Sequence, residues 1–212
     1  MKLIFATGNR GKLREAREIL DGVMDVVAPF ELGITDEPEE SGLTLKENSL
    51  IKAWFFHRLS GLDCFADDTG LEVDALGGAP GVHAARFAAD IARRDGLPAP
   101  ADHDFGANID ALLAELAKHP GEPRTARFRS VITLIFRGET YFFEGVLEGR
   151  IALERSGSGG FGYDPVFVAD SYPDRSVAEL PEEVKNAISH RGQSLRLMAQ
   201  YLSREMQVAQ NQ

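Results

Sequence analysis

The chain has 212 residues, of which 43% are hydrophobic and 26% are charged. This composition is typical of a soluble globular protein rather than of a disordered, fibrous or membrane one. The formal net charge of −10 argues against non-specific binding to nucleic acid, which depends on surplus Lys and Arg. The apolar run over residues 1–6 is too short for a signal peptide, and we find no membrane-spanning segment, so the expected location is the cytoplasm.

The first predicted elements are a buried strand over residues 2–6 and a helix from Lys12 onward. The loop between them carries two glycines and two cations ahead of a helix N-terminus, which suits an anionic oxygen. It is not a Walker A loop, because Gly8 and Gly11 are too close together and Leu13 follows the lysine. A plain connection is an equally good interpretation. The candidate binding residues here are Thr7, Gly8, Asn9, Arg10, Gly11 and Lys12.

A capping-box pattern formed by Thr44 and Glu47 predicts a helix over residues 44–60. Asn48 and Lys52 are four residues apart, so they share one face of that helix. Such a pair is more often a pair of surface residues, although both side chains are long enough to reach a phosphate.

The strongest chemical signal is the pair Asp67 and Asp68, where an apolar run stops. Neighbouring residues of a strand point to opposite faces, so both carboxylates serve one site only if the strand ends there. Thr69 and Gly70 predict the necessary turn. Two carboxylates beside a turn can hold Mg2+ and accept a proton from water, as hydrolysis of a phosphate anhydride requires. A solvated acidic turn is the alternative interpretation.

The middle of the chain is predicted to be structural. It contains a strand over residues 71–76, a peripheral segment over residues 89–104, and a helix over residues 105–118 with apolar residues at helical spacing. A strand over residues 127–136 follows, and Gly138-Glu139 fits the two-residue turn of a hairpin.

A glycine-rich stretch over residues 156–165 contains Phe161, Tyr163 and Asp164. A flexible linker seldom carries two aromatic rings and a carboxylate so close together. Glycine permits close approach of the backbone and an aromatic ring offers a stacking face, so the stretch predicts a site for a planar ligand.

Two helices are predicted near the C-terminus, over residues 182–188 and 194–206. His190 and Arg191 fall between them and are equally compatible with a ligand site and with a solvated turn. Residues 207–212 are rich in Gln and are predicted to be a frayed tail.

Taken together, six short motifs resemble the inosine triphosphate pyrophosphatase family. Each motif alone is weak, but they occur in the family's order from Leu3 to nearly the C-terminus, and the ordered set is highly specific. The motifs are Thr7-Gly8-Asn9 with Lys12, Ser41-Gly42-Leu43-Thr44 leading to Glu47-Asn48, Ala66-Asp67-Asp68-Thr69-Gly70, Leu76-Gly77-Gly78-Ala79-Pro80-Gly81, Gly160-Phe161-Gly162-Tyr163-Asp164-Pro165 and Ser189-His190-Arg191-Gly192.

The resemblance implies an enzyme that hydrolyses non-standard purine nucleoside triphosphates, such as ITP, dITP and XTP, to the monophosphate and pyrophosphate with Mg2+. It also implies an α/β fold, in which helices on an elongated, twisted mixed sheet form two lobes around a central substrate cleft, and a homodimer. We therefore expect one two-lobed catalytic domain over residues 1–206. The sequence departs from shorter family members over residues 89–104, where no motif lies.

The resemblance also implies roles for individual residues. It gives the Thr7–Lys12 loop to the triphosphate, Glu39 or Glu40 and Asp68 to the metal, and the role of general base to Asp68. Asp67 is a further candidate metal ligand, and Thr69 is expected to contact substrate. Polar positions lining the phosphate cleft match Asn48 and Lys52. Positions that enclose the purine match Phe161, Gly162, Tyr163, Asp164, Lys185, His190 and Arg191.

Two other functions stay open. One is a nucleotide-binding regulator without turnover, and the other is a pyrophosphatase for other modified nucleotides, such as methylated pyrimidines. The acidic cluster argues against the regulator, because a pocket for a polyanion gains nothing from nearby carboxylates unless a metal is present.

Overall fold

The computed structural model describes residues 1–210, and within them it contains a seven-stranded sheet and six α-helices. The strands are β1 (Lys2–Phe5), β2 (Asp25–Val27), β3 (Cys64–Val73), β4 (Pro80–Gly81), β5 (Thr125–Phe136), β6 (Glu139–Ile151) and β7 (Phe167–Ala169). The helices are α1 (Arg10–Ile19), α2 (Leu45–Ser60), α3 (Phe87–Arg94), α4 (Phe105–Ala117), α5 (Glu182–Ile188) and α6 (His190–Gln210).

The sheet is mixed, with strand order β2-β1-β3-β5-β6-β7 and with β4 paired to β3. β1 runs parallel to both β2 and β3, whereas the β3–β4 and β6–β7 pairs are antiparallel. A mixed sheet with helices confirms the predicted fold class.

The chain divides into two compact units. Unit 1 comprises Met1–Thr69, Ser130–Gly145 and the chain from His190 onward, and unit 2 comprises Gly70–Arg129 and Val146–Ser189. Each unit has its own core, described separately below. The single catalytic domain and its cleft stay predictions.

In unit 1, side chains alternate between the two faces of the sheet, as strand geometry requires. Phe5 and Phe65 stack at 4.3 Å between ring centroids within a cluster that includes α1 and α6 residues. Ile4 and Ala66 belong to a second cluster, built with α2. The sheet therefore carries α1 and α6 on one face and α2 on the other.

The start and end of α2 in unit 1 are as the sequence predicts. Thr44 caps α2 with a full capping box, because its hydroxyl accepts from the Glu47 N–H and the Glu47 carboxylate accepts from the Thr44 N–H. α2 ends at Ser60 and is capped by Gly61, whose φ of 68° favours glycine. On α1, Leu13 and Ala16 are buried.

Unit 2 has one core, in which apolar residues of α4 pack with those of β3, β5 and β7. Phe128 and Phe167 lie 4.5 Å apart between ring centroids at its centre. The buried side chain of Asn108 on α4 accepts from the Ala88 N–H at 2.8 Å and donates to the Ala85 carbonyl at 3.0 Å. This amide therefore fixes the start of α3 against α4. The rest of α3, over residues 89–94, falls in the predicted peripheral segment.

Two predicted boundaries are wrong. β3 runs without interruption to Val73, so the chain does not turn at Thr69-Gly70, and the predicted strand over residues 71–76 ends in a short 3-10 turn. The hairpin between β5 and β6 turns at Arg137-Gly138, one residue earlier than predicted. Both residues have positive φ, as a tight two-residue turn requires.

The last helix differs from its prediction at both ends. α6 begins at His190, so His190 and Arg191 lie in its first turn, and it continues to Gln210. The predicted frayed tail is helical over residues 207–210, and residues 211–212 lie outside the described residues. Within residues 1–210, no helix combines the length and the apolar character needed to cross a membrane.

Candidate active site

The two adjacent carboxylates of β3 point to opposite faces of the sheet in unit 1. Because β3 continues through them, Asp67 lies on the face of α1 and α6, and Asp68 lies on the face of α2. Strand alternation thus gives each carboxylate different partners.

Asp67 is the most buried of the charged side chains around the two β3 carboxylates, with 2% of its surface exposed. Both of its oxygens accept hydrogen bonds from Lys12 Nζ, at 3.0 and 2.9 Å, and Oδ2 also accepts from Arg191 Nε at 3.1 Å. Burial alone would raise the pKa of Asp67, but Lys12, Arg191 and Lys52 outweigh it and hold that pKa well below the usual range. Asp67 is therefore a permanent anion that orders two cations.

Asp68 has the opposite environment. Its Oδ1 and the Oε2 of Glu40 each lie 3.2 Å from Lys52 Nζ, so two carboxylates share one cation. Burial raises the pKa of Asp68, with a contribution from Glu40, although Lys52 opposes the shift. Burial would lower the pKa of Lys52, but Asp68, Asp67 and Glu40 together raise it. A carboxylate with a raised pKa beside a fixed cation is suited to accept a proton.

Only some of the predicted carboxylate ligands have surroundings that fit a magnesium ion. Within the described residues, no three His, Cys, Asp or Glu side chains form a ready cation site. Mg2+ is commonly held by one or two carboxylates together with substrate phosphates, and Asp68 and Glu40 already converge on one positive charge. Glu39 and Glu40 are both exposed, but Glu40 Oε2 lies 3.2 Å from Lys52 Nζ, so the geometry favours Glu40. Asp67 is engaged by two cations, which argues against its predicted role as a ligand.

The loop from Thr7 to Lys12 is held by its own side chains. Asn9 caps α1, because its Oδ1 accepts from the backbone N–H groups of Gly11 at 2.8 Å and Lys12 at 3.1 Å, and Thr7 Oγ1 accepts from the Asn9 N–H at 3.1 Å. These amides are therefore satisfied within the protein. Gly8 and Arg10 are exposed, and a side chain at Gly8 would meet no atom.

Asn48 is a structural residue of the cluster. It is 2% exposed, and its Oδ1 accepts from the Gly42 N–H at 2.8 Å. A Cβ on Gly42 would lie only 2.6 Å from that oxygen. This contact fixes the loop carrying Glu40, and the contact of Asn48 with phosphate stays a prediction.

In unit 2 the glycine-rich stretch forms a second polar group. Asp164 Oδ2 accepts from Lys185 Nζ at 2.8 Å and from the Phe161 N–H at 3.1 Å. A Cβ on Gly160, whose φ is +81°, would overlap both the Asp164 carboxylate and the Lys185 ammonium. Phe161 is 61% exposed. Gly162 also has a positive φ. An exposed ring beside a fixed ion pair is suited to a planar polar ligand.

Tyr163 differs from its prediction. It is 3% exposed, belongs to the unit 2 core, and its hydroxyl donates to the Ala84 carbonyl at 2.8 Å. Its ring therefore packs in the protein rather than offering a face to a ligand. The sequence could not separate Phe161 from Tyr163, because both aromatic residues lie in the same motif.

His190 and Arg191 begin α6 in unit 1. Burial lowers the pKa of His190 to about 3, with a further decrease from Arg191, so the imidazole is neutral near pH 7. Arg191 is 7% exposed and donates from Nε to Asp67 and from Nη1 to Glu15, the latter at 3.5 Å.

Sequence reasoning missed Glu15. It lies three residues after Lys12 on α1, so the two side chains share a helix face. That spacing was a usable signal, but only the tertiary structure shows that Arg191 is the partner.

Thr69 follows the two carboxylates on β3. Within residues 1–210, its Oγ1 is a buried atom without a hydrogen-bond partner. Buried hydroxyl groups are normally satisfied, so this atom is a candidate for a ligand contact.

The α/β fold and the two carboxylate-cation groups on β3 are those of a polyphosphate-hydrolysing enzyme. The chain belongs to the Ham1 family, whose model matches residues 3–201. This confirms the resemblance drawn from the motifs. Among curated relatives, the dITP/XTP pyrophosphatase of Porphyromonas gingivalis is 49% identical over 95% of this chain and 97% of the relative. That of Christiangramia forsetii is 41% identical over 96% of this chain and 100% of the relative.

Solved structures agree with this membership. A HAM1 protein from Coxiella burnetii is 36% identical with a TM-score of 0.85, covering 96% of this chain and 99% of that one. The Ham1 protein of Staphylococcus aureus is 33% identical with a TM-score of 0.84, covering 97% of this chain and 100% of that one.

Proposed function

We propose that this chain hydrolyses non-standard purine nucleoside triphosphates, such as dITP, ITP and XTP, to the monophosphate and pyrophosphate, with Mg2+ as cofactor. The relatives named dITP/XTP pyrophosphatase support the substrate class. The observation that carries the proposal is the arrangement on β3, where Asp68 and Glu40 share Lys52 while Asp67 orders Lys12 and Arg191.

The two groups suit different parts of the reaction. Asp68 and Glu40 would hold Mg2+, which neutralises phosphate charge and polarises the scissile bond when bound. Asp68 accepts the proton of the attacking water, as its raised pKa favours. Lys12 and Lys52 stabilise the negative charge of the pyrophosphate leaving group, and Thr69 Oγ1 donates to the substrate.

In unit 2, Phe161, Asp164 and Lys185 are proposed to contact the base. In unit 1, the same role is proposed for His190 and Arg191, as the resemblance implies. Phe161 offers a stacking face for the purine. Arg191 can only donate hydrogen bonds, so against position 6 it pairs with the oxygen of hypoxanthine and mismatches the amino group of adenine. Rejection of guanine requires a separate contact at its 2-amino group.

One assay tests the proposal against its alternatives. The protein is incubated with Mg2+ and dITP, XTP, dGTP, dATP or a methylated pyrimidine triphosphate, and released pyrophosphate is measured. Preferential turnover of dITP and XTP is expected. Preference for the pyrimidine substrate would support the modified-nucleotide pyrophosphatase, and binding without pyrophosphate release would support the regulator.

The position of attack is tested separately. We propose that water attacks the α-phosphorus, because pyrophosphate then leaves as a single group. Attack at the β-phosphorus gives the same products, so product identity does not distinguish the two. In oxygen-18 water the label is expected in the monophosphate, and label in pyrophosphate would contradict attack at the α-phosphorus.

We also propose that the protein is a cytoplasmic homodimer, as the resemblance implies. Sedimentation of the purified chain, with and without dITP, measures its mass in solution. A monomer in both conditions would contradict the dimer without affecting the proposed chemistry.

A further inference from the structure

In unit 1, one face of β6 packs along α6 as far as the N-terminus of that helix. Alternate residues of a strand share a face, so Tyr141, Phe143 and Gly145 lie in one row. Tyr141 and Phe143 pack against Tyr201 of α6, at 4.6 and 5.7 Å between ring centroids. At Gly145 the row has no side chain, and there the helix backbone lies against the strand.

The contact at Gly145 leaves no room for a methyl group. A Cβ at this position would overlap the carbonyl oxygen of His190, and it would lie 2.8 Å from the Ser194 N–H nitrogen and 2.9 Å from Gln193 Cβ. Two of these obstacles are backbone atoms of the first turn of α6, which cannot move without moving the helix start. Substitution must therefore displace the residues that follow Ser189.

A hydrogen-bonded pair of hydroxyl groups fixes the same turn independently. Ser194 Oγ lies 3.1 Å from Ser130 Oγ on β5 and donates to the Arg191 carbonyl at 3.0 Å. Both serines are fully buried. The start of α6 is thus held by close backbone packing against β6 and by a hydrogen bond to β5.

From this geometry we infer that Gly145 is a positioning residue for base recognition, an inference that rests on the proposed roles of His190 and Arg191. Because Gly145 has no side chain, the first turn of α6 can lie directly against β6. This position determines where the side chains of His190 and Arg191 start. Displacement of a positioning group by about 1 Å can cost on the order of a hundredfold in rate. A shift of the first turn of α6 is therefore expected to change the discrimination between bases even in a variant that still folds.

Gly149 provides a matched control on the same strand. A Cβ there would overlap the Val168 carbonyl oxygen and lie 2.8 Å from Phe167 Cζ, so Gly149→Ala is equally crowded. Its neighbours are residues of β7 in the core of unit 2, to which no ligand role is assigned. The two alanine variants therefore separate a general loss of packing from a displaced α6.

The experiment measures kcat and KM for dITP and dATP, together with Tm, in the wild type and both variants. We expect both substitutions to lower Tm. Gly145→Ala is expected to shrink the dITP-to-dATP ratio of kcat/KM by about tenfold through misplacement of the base-recognition groups, whereas Gly149→Ala leaves it within about twofold of wild type. A wild-type ratio in folded Gly145→Ala, or equal changes in both variants, would overturn the inference.

If Gly145→Ala shows no cooperative unfolding transition, the test moves to Ser194→Ala. This variant removes the attachment to Ser130 without adding bulk, and it is expected to lower the ratio about threefold, since a lost buried hydrogen bond is a smaller perturbation. An unchanged ratio in the folded variant would overturn the inference. Wild-type protein that is inactive on dITP would refute the proposed function itself, and the inference with it.

Discussion

The two faces of β3 in unit 1 carry carboxylates and cations in opposite proportions. On the face of α1 and α6, one buried carboxylate, Asp67, holds two cations, Lys12 and Arg191. On the face of α2, two carboxylates share one cation, Lys52. Adjacent residues of the same type thus have opposite surroundings, because strand alternation directs them to different helices.

This difference separates two tasks that one acidic pair could not perform together. A carboxylate with excess cations stays ionised and orders those cations for an anionic ligand. Burial, with a contribution from Glu40, raises the pKa of Asp68 although Lys52 opposes the shift, so this carboxylate can take a proton or a metal. The comparison therefore predicts different consequences for the two Asp→Asn substitutions.

Asp68→Asn should have the largest effect on turnover. The change is nearly isosteric but removes the base, so kcat is expected to fall about a hundredfold or more while Tm stays near that of wild type. Steady-state kinetics and thermal unfolding measure both. Asp102→Asn, at an exposed position, is the matched control and should behave as wild type. A variant that keeps more than about a tenth of wild-type kcat would remove Asp68 from the role of base.

Asp67→Asn should act mainly on stability. Removing one partner of a buried ion pair leaves uncompensated charge and costs about 3–5 kcal/mol. The pKa of Asp67 is lowered in the folded state, so its contribution is complete above the unfolded pKa, near 3.9, and declines as pH falls below it.

Urea unfolding at a series of pH values between 7 and 3 measures this dependence. The difference in unfolding free energy between wild type and Asp67→Asn should be constant at the upper end and shrink below about pH 4. A difference that grows with acidification would contradict the ionised state of Asp67.

Arg191→Met tests whether Arg191 recognises the base or only completes the Asp67 group. If it faces position 6, kcat/KM for ITP should fall about tenfold or more while that for ATP changes little, because only the oxygen of hypoxanthine pairs with its donors. The GTP-to-ITP ratio should change less. Equal losses for ITP and ATP would make Arg191 a phosphate-binding or structural residue.

Phe161→Ala should have the smallest effect. Stacking of an aromatic side chain on a base is worth about 1–3 kcal/mol, so KM for dITP should rise about tenfold with kcat and Tm nearly unchanged. Leu153→Ala removes another exposed apolar side chain of unit 2, 82% exposed, and should change neither constant. An unchanged KM in Phe161→Ala would exclude stacking on this ring.

Local patterns predicted most of the secondary structure. The capping box at Thr44 placed the start of α2, and helical spacing placed α4, because these signals depend only on neighbouring residues. Errors arose where tertiary contacts override local preference. Thr69-Gly70 has turn composition but lies inside β3, and His190 and Arg191 were predicted to lie between two helices but begin α6.

The sequence by itself determined the family, the motifs and the residue types available for chemistry, since ordered motifs are a property of the chain alone. Only the tertiary structure decided which residues meet. Lys12, Asp67 and Arg191 are separated by 55 and 124 positions, and no local pattern specifies such contacts. It also decided that Tyr163 and Asn48 are buried structural residues and that Gly145 seats the start of α6. Burial and long-range contact arise when the sheet and helices pack, so they cannot be deduced from residue order.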